Sequence, residues 1–389
     1  VDRLNLITRE HLSGMMVIRA FNNQNFEQKR FDEANRELTS NNLFVNRIMA
    51  TMFPTMTLIM NGITLLIVWV GAHHIANSSL QVGDMMAFIQ YAMQIIFSFL
   101  MMSLMFIMIP RASVAAQRIA EVLDTETEIT DPENPKDFSK DLRGVVEFRN
   151  VFFKHHGAEK YLLKNINFTA LPGQTTAIIG STGAGKSTLV NLIPRFYDVT
   201  CGQVLVDGVD VREITQHELR NKIGYVPQQS SLFSGTIESN LKYANKNASN
   251  EELIEAIEIA QAMEFVKEKP KGLASEISQG GANVSGGQKQ RLSIARALVK
   301  KPDIYIFDDS FSALDFKTDA ALRKALNEKT KSSTIIMVAQ RISTIIKAEQ
   351  IIVLDEGSIV GKGTHEQLMK NCKTYQEIAL SQLSEEELA

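Results

Sequence analysis

Nine consecutive residues of this 389-residue chain could hold a phosphate: Gly180, Ser181, Thr182, Gly183, Ala184, Gly185, Lys186, Ser187 and Thr188. The glycines let successive backbone N–H groups converge on phosphate oxygens. The lysine reaches β- and γ-phosphates, and the Ser187 hydroxyl is a ligand for Mg²⁺. The β-branched run at 175–179 leads into this string. It predicts a buried strand feeding the loop and a helix starting near Gly185, with its amides and dipole facing the phosphates. ATP and Mg²⁺ are the expected ligands.

Two further strings complete the chemistry. Ile304, Tyr305, Ile306 and Phe307 run into Asp308 and Asp309, a second buried strand ending in paired carboxylates. Asp308 is placed to hold Mg²⁺ directly or through water, and Asp309 to face an attacking water. Mg²⁺ bound to phosphates needs only one or two protein carboxylates. Ser285, Gly286, Gly287 and Gln288 open a helical run, where a hydroxyl and glycine amides make another anion site. A nucleotide already cradled by the first loop has no use for a second cradle in the same chain. The two cradles point to a dimer with nucleotides sandwiched between subunits.

The positioning elements differ sharply along the chain. Residues 48–76 and 85–110 are apolar and nearly uncharged, and eleven of the 16 methionines lie between Met49 and Met108. As a helix the second run would span roughly 39 Å at about 1.5 Å per residue, enough for a ~30 Å hydrocarbon core. The connection 77–84 has no Lys or Arg, whereas Arg36, Arg47, Arg111 and Arg118 lie on the outer flanks. The flanks are therefore expected in the cytoplasm. Asn61, Gln90 and Gln94 suit interhelical hydrogen bonds or substrate contact; the methionines suit lipid or an adaptable pocket. His73 and His74 fit interfacial anchors. Residues 1–45 read as a polar, helical cytoplasmic region, and the acidic, proline-bearing stretch 124–142 as a linker. An α/β pattern occupies 143–389. A net charge of −3 gives no sign of a nucleic-acid partner, and Cys201 and Cys372 are too few for a disulfide framework. The chain opens on Val1 without signal-peptide logic, so a longer protein is expected.

The three strings occur in the order of an ATP-binding cassette (ABC) protein, and the region from Gly144 onward resembles its nucleotide-binding domain. Residues 180–188 resemble Walker A, Asp308 the end of Walker B, and 284–288 the signature, with Val284 for the usual Leu. Gln228 resembles the Q-loop glutamine that senses Mg²⁺, and residues 312–315 the D-loop. Residues 1–123 are similar to the end of an exporter transmembrane domain. The resemblance implies an α-helical transmembrane domain, present in part, joined to an α/β P-loop ABC ATPase domain. It makes 10–21 a coupling helix, and about 46–76 and 84–110 the fifth and sixth membrane helices, without the first four.

This chain departs from the family at positions that matter. The residue after Walker B, usually Glu, is Asp309; the switch histidine position holds Gln340; the adenine-stacking aromatic aligns with His155, with Tyr161 as a substitute. Asp is one methylene shorter, and its carboxylate would lie about 1.5 Å back, a misplacement that can cost around 10²-fold. Gln340 can hydrogen-bond a γ-phosphate but cannot carry positive charge. The expectation is one subunit of a heterodimeric multidrug-type exporter in the cell membrane, its nucleotide domain cytoplasmic. Its own site would bind ATP and hydrolyse slowly, while its signature completes the site of a homologous partner. A homodimer is the alternative assembly. Lipid or peptide export, or a mainly regulatory half, remain open alternatives. A soluble ATPase acting on ribosomes or DNA is disfavoured by the fused apolar spans.

Overall fold

A computed structural model describes residues 1–139, 141–312 and 314–382; Lys140 of the linker stretch and Ala313 of the D-loop string lie outside the described residues. The chain divides into two units, Val1–Glu126 and Thr127–Ala389.

The first unit contains helices α1 (Asp2–Ala20), α2 (Gln24–Ala76) and α3 (Val82–Leu123). Ion pairs Arg3–Glu37 and Arg30–Glu10, each 2.8 Å, tie α1 to α2 around buried Ile7 and Ala34. Helix α2 passes unbroken from the 1–45 region into the first apolar run. Helix α3 likewise continues past the end of the second apolar run at 110. Pro110 removes a single backbone bond, and the helix-favouring residues Ala112, Ala115 and Ala116 carry α3 onward. The α2–α3 hairpin is closed by a capping box, in which the Gln81 backbone N–H donates to Asp84 at 3.2 Å. Both helices are long and apolar enough to cross a membrane, and only 6% and 0% of their apolar windows are buried.

The second unit holds twelve strands among the described residues. They are β1 (Val146–Phe153), β2 (Leu163–Ala170), β3 (Thr175–Gly180), β4 (Cys201–Val206), β5 (Val209–Asp210), β6 (Ile223–Val226), β7 (Gly235–Thr236), β8 (Glu276–Ile277), β9 (Ile304–Asp308), β10 (Thr334–Val338), β11 (Gln350–Asp355) and β12 (Ser358–Gly363). The helices between and after them are α4 (Lys186–Asn191), α5 (Gln216–Asn221), α6 (Ile237–Lys242), α7 (Asn250–Ile259), α8 (Met263–Glu268), α9 (Gly286–Val299), α10 (Phe316–Lys329), α11 (Ile342–Ile345), α12 (His365–Asn371) and α13 (Lys373–Leu380).

The main sheet runs β12-β11-β3-β10-β9-β6, parallel except for β12. Its central strands are buried on both faces, which is why they read as unbroken apolar runs rather than alternating ones. Ala177, Ile179, Ile335 and Met337 enter one core with Leu292 of α9 and Leu253 of α7. Ile178, Ile336 and Val338 enter another, shared with α4 and the antiparallel sheet β2-β1-β4-β5 through Leu189, Phe148 and Val204. Phe148 and Phe168 stack there at 4.6 Å. The linker lies along this second unit: the Gln216 backbone N–H donates to Asp131 at 2.9 Å, and Lys136 pairs with Glu213 at 2.8 Å.

Candidate functional site

Parallel strands deliver all their C-terminal ends to one edge of a sheet, where their loops can share a ligand. β3, β6, β9, β10 and β11 do this here. Register pairs Val338 with both Asp308 and Ile178, so the loops that follow start side by side. The Asp309 N–H continues the ladder by donating to Val338 O at 3.1 Å, and the Ala339 N–H donates to Ile178 O at 3.1 Å.

The loop after β3 needs its glycines. At Gly180, φ is +159°, and any Cβ would run into the Leu354 carbonyl. Gly185 takes φ +94° as it caps α4, a left-handed conformation that glycine adopts without strain. Lys186 Nζ folds back over this loop, donating to Gly180 O at 2.9 Å and Ser181 O at 2.8 Å. The Ala184 N–H donates to Ser181 O at 3.2 Å, Thr182 is exposed, and Thr188 lies in the first turn of α4.

Ser187 Oγ donates to Asp308 Oδ1 at 2.9 Å. Among the described residues no three His, Cys, Asp or Glu side chains converge. The convergent donors are therefore one hydroxyl and one carboxylate, hard oxygens that leave the remaining positions to phosphate and water. Mg²⁺ favours that arrangement, so the residues present fit it. Burial raises the Asp308 pKa, with the neighbouring Asp309 charge adding to the effect against the Ser187 bond and Lys186. Burial also lowers the Lys186 pKa, opposed by Asp309 and Asp308. Each group is held away from its favoured charge state, a condition that a cation and an anion arriving together would relieve.

Asp309 leaves the strand at φ +46°, a left-handed conformation that aspartate tolerates better than most side chains. Its Oδ2 accepts from Gln340 Nε2 at 2.6 Å and from Gln228 Nε2 at 3.4 Å. Burial raises its pKa too, against the hydrogen bonds from Gln228 and Ser312, the Lys186 charge and the Gln340 bond. The structure thus brings Lys186, Ser187, Gln228, Asp308, Asp309 and Gln340 to one place.

Ser285, Gly286, Gly287 and Gln288 are elsewhere in their bonding. Ser285 Oγ accepts from the Gln288 N–H at 3.3 Å, and the Ser285 N–H donates to Gln288 Oε1 at 3.0 Å, a capping box that starts α9.

His155 lines a cleft of about 930 Å³ together with Phe153, Tyr197 and the linker residues Thr127 and Ile129. Its ring meets Phe153 at 4.9 Å and Tyr197 at 5.4 Å, both nearly perpendicular. Tyr161 packs instead on Phe152 at 5.6 Å, outside that cleft. Sequence reading missed Asp355, whose Oδ1 accepts from Ser181 Oγ at 3.3 Å. The signal was present, since Asp355 ends an apolar run just as Asp308 does. It also missed Gln382, which carries no motif and sits beside the switch position: its Oε1 accepts from the Ile342 N–H and its Nε2 donates to Gln340 O.

Known proteins share both halves of this arrangement. The ABC transporter family profile matches residues 163–312, and the profile of the ABC transporter transmembrane region matches residues 1–127. An uncharacterised ABC transporter ATP-binding protein of Mycobacterium tuberculosis (strain ATCC 25618 / H37Rv) is 46% identical over 385 residues, covering 98% of this chain and 66% of its own length. The putative multidrug export ATP-binding/permease protein YgaD of Bacillus subtilis (strain 168) is 35% identical over 360 residues, covering 92% of this chain and 62% of its own length. The chain thus spans just under two thirds of these relatives. A solved bacterial Atm1-family ABC exporter with ATP bound superposes with a TM-score of 0.84 at 30% identity, over 99% of this chain and 69% of that one.

Proposed function

This chain belongs to the ABC transporter family, and from that premise we propose that it is one half of an ATP-driven exporter whose own nucleotide site turns over slowly. The observation that carries the slow-site reading is the shared oxygen of Asp309, held by Gln340 at 2.6 Å and Gln228 at 3.4 Å. A carboxylate one methylene short of glutamate, paired with an amide that stays neutral at every pH, is a weak pair for activating water. ATP binding depends on other groups. The loop amides, Lys186 and Ser187 hold the phosphates, and His155 offers a ring to the base. Ser187 and Asp308 would hold Mg²⁺ with Gln228 beside them; the ion supplies charge neutralisation across the β- and γ-phosphates.

The signature residues Ser285, Gly286, Gly287 and Gln288 then serve ATP held by a second, homologous half. Weak catalytic groups in this chain favour a non-identical partner that has the stronger pair. The one-sided distribution of arginines around the apolar windows supports a multi-pass position in the cell membrane, with the nucleotide unit in the cytoplasm. Apolar or amphipathic cargo moved outward is supported by the methionine-rich spans and by the multidrug name of the Bacillus relative.

The test is to purify the full-length protein alone and with its partner, then measure steady-state ATPase. Alone it should turn over at under about a tenth of the mixed complex, since both composite sites would carry the same short carboxylate. Equal rates would refute the slow-site assignment.

A further inference from the structure

The loop joining β10 to α11 is three residues long, 339–341, and it carries Gln340. What holds it lies far away in sequence. Arg341 is extended (φ −105°, ψ 130°), so the carbonyl before it and the N–H after it point the same way. The side-chain amide of Gln382 meets both. Its Nε2 donates to Gln340 O at 2.8 Å and its Oε1 accepts from the Ile342 N–H at 2.8 Å. A glutamine amide carries a donor and an acceptor in one plane, so here it stands in for the peptide of a neighbouring strand.

The anchor behind this amide is packed into the core. Gln382 follows α13, whose Tyr375 and Ala379 are fully buried, and Tyr375 Oη lies 2.8 Å from His365 Nδ1 of α12. Ahead of it, the clasped peptides aim two side chains. Gln340 reaches Asp309 Oδ2 at 2.6 Å, and the Arg341 guanidinium donates to Ser312 O at 3.3 Å and Leu314 O at 3.5 Å. The residue that faces the candidate water position and the loop that follows it are therefore both held from a loop clasped by Gln382.

We propose that Gln382 is a positioning residue for this site: its amide fixes the 339–341 backbone and so sets the direction in which Gln340 and Arg341 point. The proposal rests on the reading of this site as one that binds and slowly hydrolyses ATP. Gln382 touches neither the phosphate loop nor the Ser187–Asp308 pair, so it should act on the rate and not on affinity. Its side chain is exposed, and water competes for both bonds, which keeps the effect modest.

The experiment uses the full-length transporter with its partner. Hydrogen exchange should show the Ile342 amide exchanging about fivefold faster in Gln382→Ala, the value of one net hydrogen bond. Single-turnover hydrolysis in this chain's site should fall by a similar factor of about five, with ATP affinity within about twofold of the parent. In a Gln340→Ala background, Gln382→Ala should cost clearly less than in the parent, because one of the two side chains it positions is gone and only Arg341 remains to be aimed. Unchanged Ile342 exchange, a shifted ATP affinity, or an equal loss in both backgrounds would each overturn the proposal. Failure of the underlying reading looks different: Lys186→Ala would leave nucleotide binding and turnover untouched, while the exchange result would still judge the clasp.

Discussion

Replacing Asp309 by Glu and Gln340 by His in the same chain should accelerate hydrolysis at this chain's own site by about 20-fold, a net of two opposing effects. One added methylene carries the carboxylate forward by about 1.5 Å, and misplacement on that scale costs about 10²-fold, or about 2.7 kcal/mol of barrier. The imidazole at 340 adds a group that can be protonated, at the position from which Gln340 now reaches Asp309 Oδ2 at 2.6 Å. Against this stands the backbone at 309. Its φ of +46° suits aspartate better than glutamate, and a penalty near 1 kcal/mol returns about fivefold. ATP affinity should stay as it is, because the phosphate loop, Lys186 and Ser187 are untouched. The assay is vanadate trapping with a photo-crosslinking nucleotide, read separately for each subunit. If the double variant folds and binds ATP as the parent does, yet traps no more nucleotide in this chain, the geometry of Asp309 is not what limits the chemistry.

Other consequences are open to direct measurement. Ser285→Arg would place a bulky side chain at the start of α9 and should lower complex turnover at least about tenfold, more than Lys186→Ala, which acts on the slow site; steady-state ATPase of the two mutant complexes that ranks them in reverse would exchange the fast and slow assignments. Burial holds the Asp308 pKa above its ordinary value, so on acidification its charge is lost earlier than that of an exposed aspartate, and Mg²⁺-dependent ATP affinity should weaken before ordinary aspartates titrate. The same shift makes the nucleotide-free fold lose stability as pH rises through that window, so Asp308→Asn should raise its melting temperature at neutral pH by a few degrees in calorimetry while abolishing Mg²⁺-dependent binding. Met16 and Val17 are 80% and 60% exposed on α1; Met16→Asp should leave basal ATPase within about twofold, as a surface change does, and remove its stimulation by transported substrate, a result that proteoliposome transport can contradict.

The two apolar runs were legible because crossing a membrane demands length and hydrophobicity of contiguous residues, both of which a sequence displays. The ends of the helices that carry them were not. The second apolar run ends at 110, yet α3 continues to Leu123, since helix continuation depends on the propensity of the next turns and not on the membrane's edge. The phosphate loop, the paired aspartates and the start of α9 were legible for a related reason. Their chemistry needs neighbouring backbone amides or adjacent carboxylates, and neighbours in sequence stay neighbours in space. The choice between His155 and Tyr161 was not legible, because each lies two residues from the end of an apolar strand, and only packing puts His155 in the cleft and Tyr161 against Phe152.

The sequence by itself determined the kinds of group available: a phosphate cradle, a hydroxyl and a carboxylate for a hard cation, and a short acid with a neutral amide where a stronger pair could stand. Tertiary structure alone decided which of them meet. Five parallel strands bring Ser187 to Asp308 and bring Gln228 and Gln340 to one oxygen of Asp309, across separations along the chain that no local pattern records. The Gln382 clasp is the extreme case. A glutamine just after α13 has no motif, and its role comes only from the register that places its amide against an extended Arg341, where it meets two backbone groups of the switch loop.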